Sequence, residues 1–373
     1  MNLASAITGL PYVGKTTLFN LLTGAHAATG SFAGAEAETN VGVAKVPDER
    51  VDKLSALYKP KKTTFAEITY RDLGLVKGGA QGGALSAQKL GDLRTADALL
   101  HVVRAFRDPS VPHAEGSVDP LRDMATLELE LLFADHAVIE KRLERIEPEL
   151  RGAKGAEKEA REREKAFLLR ALPALESETP LRDIDIEPDE LKLIRGYRFL
   201  TLMPQLVVVN LDEADVPAPD TALAPLRAAA ARHRATAVVS ACAKLESEIA
   251  ELGPEEARTF RAELGIAEPP LERVVRATYE LLGLISFFTV GEDEVRAWTV
   301  LQGATAQQAA GAIHSDLERG FIRAEVIRWD ELLRVGSEAA AKREGIMRTE
   351  GKETIIDDGS VVHVLFSVGA HRS

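Results

Sequence analysis

Cysteine is almost absent from this chain of 373 residues. The one copy, Cys242, excludes an internal disulfide and suits a reducing cytoplasm. Aromatic residues are also scarce, at 5% against 45% apolar residues in all, so aliphatic side chains must build the core. Long apolar runs are missing. Leu206 to Val209 and Leu131 to Ala134 are among the longest, far short of the roughly 20 residues that span a bilayer. No basic stretch precedes an apolar one at the N-terminus, so neither a signal peptide nor a membrane partner is expected. Basic charge is in deficit too, with 46 Lys and Arg against 58 Asp and Glu and a net charge of -12. That excludes nucleic-acid binding through bulk charge and leaves only a local patch for such a partner. The length exceeds one compact core, so two or three domains are expected.

What is present begins at the N-terminus. Leu3 to Thr8 reads as a buried strand that runs into Gly9-Leu-Pro-Tyr-Val-Gly14-Lys15-Thr16, and a helix follows to Leu22. Strand, glycine loop and helix together make the G-x-x-x-x-G-K-T spacing meaningful, where a chance glycine turn is the plainer alternative. Glycines at 9 and 14 let backbone N–H groups converge on phosphates, and the helix adds its positive end. Tyr12, Val13 and Thr17 complete the cradle. Lys15 is expected to bridge the β- and γ-phosphates, and Thr16 to bind Mg²⁺ through its hydroxyl. Asp72, closing the strand-like stretch Ile68 to Asp72, is the second magnesium candidate; otherwise it is a turn aspartate before Gly74.

Base recognition is sought after the apolar strand Gln205 to Asn210. A guanine site usually carries Asn-Lys-x-Asp there, because the Asp carboxylate accepts two guanine N–H groups. This chain has Asn210-Leu211-Asp212-Glu213. Leu211 removes the lysine, and Glu213 is one methylene longer than Asp. A site built on hydrogen bonds rejects analogues strongly, so ATP is favoured over GTP. Asn210 also suits the simpler role of a helix cap. Cys242-Ala243-Lys244 then stands where Ser-Ala-Lys is usual.

Further buried strands, Ala98 to Val103 and Ala235 to Ser240, complete an α/β pattern of parallel strands covered by helices. Met124 to Ile146 and Gly155 to Leu169 read as two long helices separated by Pro148, Gly152 and Gly155. Eight acidic and nine basic residues between Glu140 and Ala166 make them solvated. They form either a hairpin inserted into the nucleotide domain or two ordinary surface helices of it. From Tyr279 the pattern changes to short strands around a helix at Ala306 to Leu317, a small α+β domain. The expected domains are 1–123 and 201–278 for the two parts of the nucleotide domain, 124–200 for the helical insertion and 279–373 for the closing domain.

Taken together, the P-loop, Asn40-Val-Gly-Val43, His101-Val-Val-Arg104, Glu115-Gly-Ser-Val-Asp-Pro120, Cys242-Ala-Lys-Leu-Glu246 and Gly320-Phe-Ile-Arg-Ala-Glu325 resemble the Obg-like ATPase family, YchF subfamily, nearly end to end. The resemblance implies a P-loop NTPase domain with a coiled-coil insertion, a C-terminal β-grasp (TGS) domain, Mg²⁺-dependent hydrolysis of ATP in preference to GTP, and association with the ribosome or a ribosomal subunit. It implies a hydrophobic residue in place of the catalytic glutamine, here Leu75, and a histidine candidate for catalysis, here His113. Four positions depart from the family. Tyr12 replaces an asparagine expected to help hold potassium. Glu36 replaces a magnesium-binding threonine, and its carboxylate is the corresponding metal candidate. Asp72-Leu-Gly74 is one residue shorter than D-x-x-G, and Gly30 to Glu38 lacks a Pro-Phe pair. All four lie where a γ-phosphate is sensed. Three functions are therefore carried forward: an ATPase, a nucleotide-dependent binding module with little turnover, and a GTPase.

Overall fold

The computed structural model describes residues 3–27, 39–73, 85–266 and 268–367. Its strands, in chain order, are β1 (Ala4–Thr8), β2 (Asn40–Lys45), β3 (Lys62–Thr64), β4 (Glu67–Asp72), β5 (Ala98–Arg104), β6 (Gln205–Asn210), β7 (Thr236–Ala241), β8 (Leu284–Thr289), β9 (Glu294–Leu301), β10 (Phe321–Arg328), β11 (Arg348–Glu350) and β12 (Ser360–Phe366). They make two six-stranded sheets, in two compact units.

The larger unit holds the sheet β2-β4-β1-β5-β6-β7. Its β4-β1-β5-β6-β7 stretch is parallel, with Ile7 paired to Asp72 and Leu100, and Val102 to Val208. Every residue of β1, β5 and β6 is buried. These strands read as continuous apolar runs because helices cover a parallel sheet on both sides. Helix α1 (Lys15–Thr23) follows β1 directly, and α3 (Ala87–Leu93), named in order after α2 (Glu49–Tyr58), packs Leu93 into a cluster with Ala6, Leu99 and Leu127.

The two long helices form as expected but run further. Helix α4 (Pro120–Gly152) begins at an Asp119 cap and continues through Pro148, and α5 (Gly155–Glu176) packs against it. Proline removes one ladder bond. Arg142 holds the turns around it by bonding Glu149 at 2.9 Å on its own helix and Glu164 at 2.7 Å on α5. Ile139, Phe167, Leu168 and Ala171 give the pair a core of its own. Asp135, fully buried on α4, ties this region to the sheet connection. It accepts from Arg94 at 2.9 Å, from the Leu200 and Thr201 N–H groups at 3.1 and 2.7 Å, and from the Thr201 hydroxyl at 2.8 Å.

The second unit differs from expectation in its membership. The stretch between β2 and β4, which carries α2 and β3, groups with residues 282–367. The cause is edge pairing: β3 adds in parallel beside β9, Lys62 opposite Glu294, in the sheet β11-β10-β12-β8-β9-β3. Helix α2 follows it into this unit. Val51 and Leu54 are completely buried, Arg50 bonds Asp358 at 2.6 Å and lies over the Phe288 ring, and Lys53 lies over Trp329. The helix predicted over Ala306 to Leu317 is two pieces, because His314 adopts extended backbone and caps the second piece.

Candidate nucleotide-binding site

The glycine loop joins β1 to α1 at the carboxyl ends of the parallel strands, where open α/β sheets bind ligands. Gly9 has φ 140° and Gly14 φ 97°. A Cβ on Gly9 would come within 2.3 Å of the Val102 carbonyl oxygen, and one on Gly14 within 2.5 Å of the Asn210 amide nitrogen. Only glycine fits either place. Tyr12 also has a positive φ, 65°, which for a bulky residue is strained, and its ring is exposed. Helix α1 has no side-chain cap, so its first N–H groups face the loop.

Lys15 is buried and lies back along the loop, donating to the Gly9 and Leu10 carbonyl oxygens at 3.0 and 2.7 Å. Burial, reinforced by the nearby charge of Lys89 and opposed by Asp72, pulls its ammonium down to about 7. The Thr16 hydroxyl donates to the Asp72 carboxylate at 2.7 Å. Two of the three residues assigned to magnesium from the sequence, Thr16 and Asp72, are thus side by side. Their donors are hard oxygens, the set Mg²⁺ prefers, so the site fits that ion. Among the described residues no cluster of three or more His, Cys, Asp and Glu side chains could hold a metal alone, so nucleotide phosphates would have to complete the shell.

Asn210 is a keystone here. Its amide nitrogen donates to the Val13 carbonyl at 3.0 Å, and its amide oxygen accepts from the Ala243 N–H at 3.0 Å. One buried side chain thereby fixes the phosphate loop to the start of the helix that follows β7. Leu211 is buried in the core with Val209 and Leu245, and Cys242 lies in the same cluster. Burial pushes the Cys242 thiol up, so it is an unreactive core residue. Asp212 accepts from the Arg107 and Ala214 N–H groups. Glu213 accepts from Lys244 at 2.5 Å.

His113 stands where α4 begins. Its Nδ1 accepts from the Glu115 N–H at 3.0 Å, so the proton is on Nε2, which faces Asp123 at 2.9 Å. Both nitrogens are in use within the chain, and the ring is nearly buried. A catalytic role would require one of these bonds to break first. The loop before it is fixed by Arg104, whose guanidinium donates to the carbonyls of Phe106, Asp108, Val111 and Pro112 and lies 4.3 Å from the Phe106 ring centre. Glu36 and Leu75, as well as Gly74, fall outside the described residues.

No site role follows from the sequence for His101, which stands there only within a family motif, or for Lys89. His101 is on β5 opposite Thr8, wholly buried, with its Nδ1 3.2 Å from the Gln205 amide nitrogen. Burial, and secondarily the Lys15 charge, brings it down to about 3. An unfolded histidine titrates near ~6.5, so between these values the unfolded chain binds a proton that the native one refuses. Stability therefore falls as pH drops from about 6.5 towards 3, with about 2 kcal/mol lost from this group by pH 5. His101→Gln flattens that decline. Urea titrations at pH 7 and pH 5 measure it, and equal declines in variant and wild type would refute the assignment.

A parallel sheet, a complete phosphate loop and an adjoining Thr-Asp pair define a P-loop nucleotide-binding protein of the GTPase fold. A family model described as a 50S ribosome-binding GTPase matches residues 4–134, and the YchF-GTPase C-terminal model, described as a protein of unknown function, matches residues 284–367. The chain is 44% identical to the ribosome-binding ATPase YchF of Bacillus subtilis strain 168, over 99% of this chain and 100% of that protein. It is 42% identical to its namesake in Escherichia coli O157:H7, again over 99% and 100%. The solved structure of the Schizosaccharomyces pombe YchF GTPase matches with a TM-score of 0.84 at 32% identity, covering 98% of each chain. The chain belongs to the YchF family.

Proposed function

We propose that this chain is a Mg²⁺-dependent nucleotide hydrolase that prefers ATP to GTP and couples its nucleotide state to the ribosome. The observation that carries the reading is the assembled pair of Lys15 in its loop and Thr16 against Asp72 at 2.7 Å. Thr16 and Asp72 would hold the ion, which when bound offsets phosphate charge. Lys15 and the backbone N–H groups of the loop and of the start of α1 orient the phosphates and stabilise charge that grows as water attacks in line. The base preference is supported by the carboxylates after Asn210. Guanine needs a carboxylate free to accept two N–H groups, whereas here Asp212 receives backbone N–H groups and Glu213 receives Lys244. The printed names of the relatives use both ATPase and GTPase. Ribosome association is carried over from the names of the bacterial relatives, and co-sedimentation of the purified protein with ribosomes tests it.

Competition decides the base. Unlabelled ATP is expected to displace a fluorescent ATP analogue at concentrations at least about tenfold below those GTP requires, one hydrogen-bonded recognition step being worth that much. GTP displacing at the lower concentration would reverse the preference. A second reading, binding with little turnover, is favoured by His113, whose two ring nitrogens are already engaged. Tight ATP binding without phosphate release would establish it.

A further inference from the structure

Leu85, Lys89 and Leu93 stand four residues apart, the repeat of one helix face. Leu93 on that face is buried, Leu85 just before the helix is partly buried, and the Lys89 side chain lies between them, largely covered. A lysine on such a stripe is costly unless its ammonium has a partner. The face lines a cleft shared with Thr8, Gly9 and Lys15. Two lysines thus line one cleft, and the acidic group whose charge reaches both is Asp72. One carboxylate cannot match both cations, and Asp72 already receives the Thr16 hydroxyl. The Lys89 ammonium makes no hydrogen bond or ion pair among the described residues; the helix uses only its backbone N–H, bonded to Ser86. Burial also lowers its proton affinity, against the pull of Asp72. The surplus positive charge calls for an anion, and the anion this cleft adjoins is the phosphate chain cradled by Lys15.

We propose that Lys89 is a second phosphate ligand, which joins Lys15 on the terminal phosphate of a bound nucleoside triphosphate. The proposal rests on the nucleotide reading above. It gives the chain a means of telling triphosphate from diphosphate that does not depend on the switch residues at 36 and 75. The triphosphate brings one more anionic group to the cleft, and Lys89 binds it through a charge-assisted bond. The diphosphate lacks that group.

The test compares binding of Mg²⁺ with AMP-PNP and of Mg²⁺ with ADP to the full chain by calorimetry, in wild type, Lys89→Met and Lys89→Arg. Methionine keeps the volume and suits the leucines around it, so the variant is expected to fold. Lys89→Met should weaken AMP-PNP binding by about tenfold or more, the worth of one charge-assisted hydrogen bond, while ADP affinity stays within about twofold. Lys89→Arg should keep most of the discrimination. Equal loss for both nucleotides would make Lys89 only a countercharge for Asp72 and overturn the proposal. Unchanged affinity for both would overturn it as well. A wild-type chain that binds neither these nucleotides nor their guanine counterparts would instead defeat the nucleotide reading itself.

Discussion

Lys15→Ala lowers nucleotide turnover by roughly 10³-fold, the scale on which a single donor to a developing oxyanion acts. The lysine lies against its own loop, with bonds to Gly9 and Leu10 at 3.0 and 2.7 Å. Those two carbonyls hold the ammonium at the loop, where phosphates are cradled, so little reorganisation is needed when a nucleotide arrives. Alanine removes the charge and the reach together. It does not disturb the glycine geometry, since Gly9 and Gly14 are set by contacts with Val102 and Asn210. The variant should therefore keep its fold, with a circular dichroism spectrum and urea midpoint near wild type. Phosphate release assays at saturating ATP and Mg²⁺ measure the effect. Turnover persisting within about tenfold of wild type would place the chemistry elsewhere and remove the central support of the proposed hydrolase.

Asp135→Ala is expected to cost about 3–5 kcal/mol of stability, the range for breaking a buried ion pair from one side. Asp135 is fully buried, and four donors from two other parts of the chain converge on it: Arg94 after α3, and before β6 the Leu200 and Thr201 N–H groups with the Thr201 hydroxyl. Burial alone would drive its carboxyl towards the neutral form, and Arg94 with the N–H groups opposes this. Truncation leaves two buried N–H groups and a guanidinium without their acceptor. Asp135→Asn keeps one oxygen and should cost less than alanine does. Urea unfolding curves give both values. A loss under about 1 kcal/mol for alanine would mean that water or a rearranged Arg94 replaces the carboxylate.

The parts of this molecule legible in its sequence are those whose cause is local. Gly9, Gly14, Lys15 and Thr16 could be read because a phosphate loop is a backbone shape, and eight consecutive residues specify it. The buried strands could be read from their apolar runs, and their observed limits lie within a few residues of the expected ones. The position of Asp72 followed from its strand. What escaped was set by distant partners. No local pattern says that Lys62 to Thr64 will pair with Glu294 to Arg296, some 230 residues later, or that α2 will follow them. The facing charges of Lys61 with Asp293 and Lys62 with Glu294 were the available sign. His113 reads as a catalytic candidate with no partner in view, and its partner Asp123 is a helical turn inside α4. Lys89 was overlooked as an ordinary lysine, although its place between Leu85 and Leu93 marked it as a cation on an apolar stripe.

The borrowed segment also bears on the order in which the molecule can be made. Its helix α2 and strand β3 leave the ribosome early, yet the sheet they complete lies wholly downstream of residue 281. Val51 and Leu54 must wait, still exposed, through the synthesis of more than half the chain before their burial partners exist. At usual elongation rates of ~5–20 residues per second that interval is on the order of ten seconds or more. The larger unit can acquire its parallel sheet during this time, while the smaller one cannot begin. A chain shortened after residue 281 would keep that exposed pair permanently, and a fragment starting there would lack an edge strand. The smaller unit is therefore not a detachable module: its sequence is interrupted, and it can be completed only after the larger unit has been made.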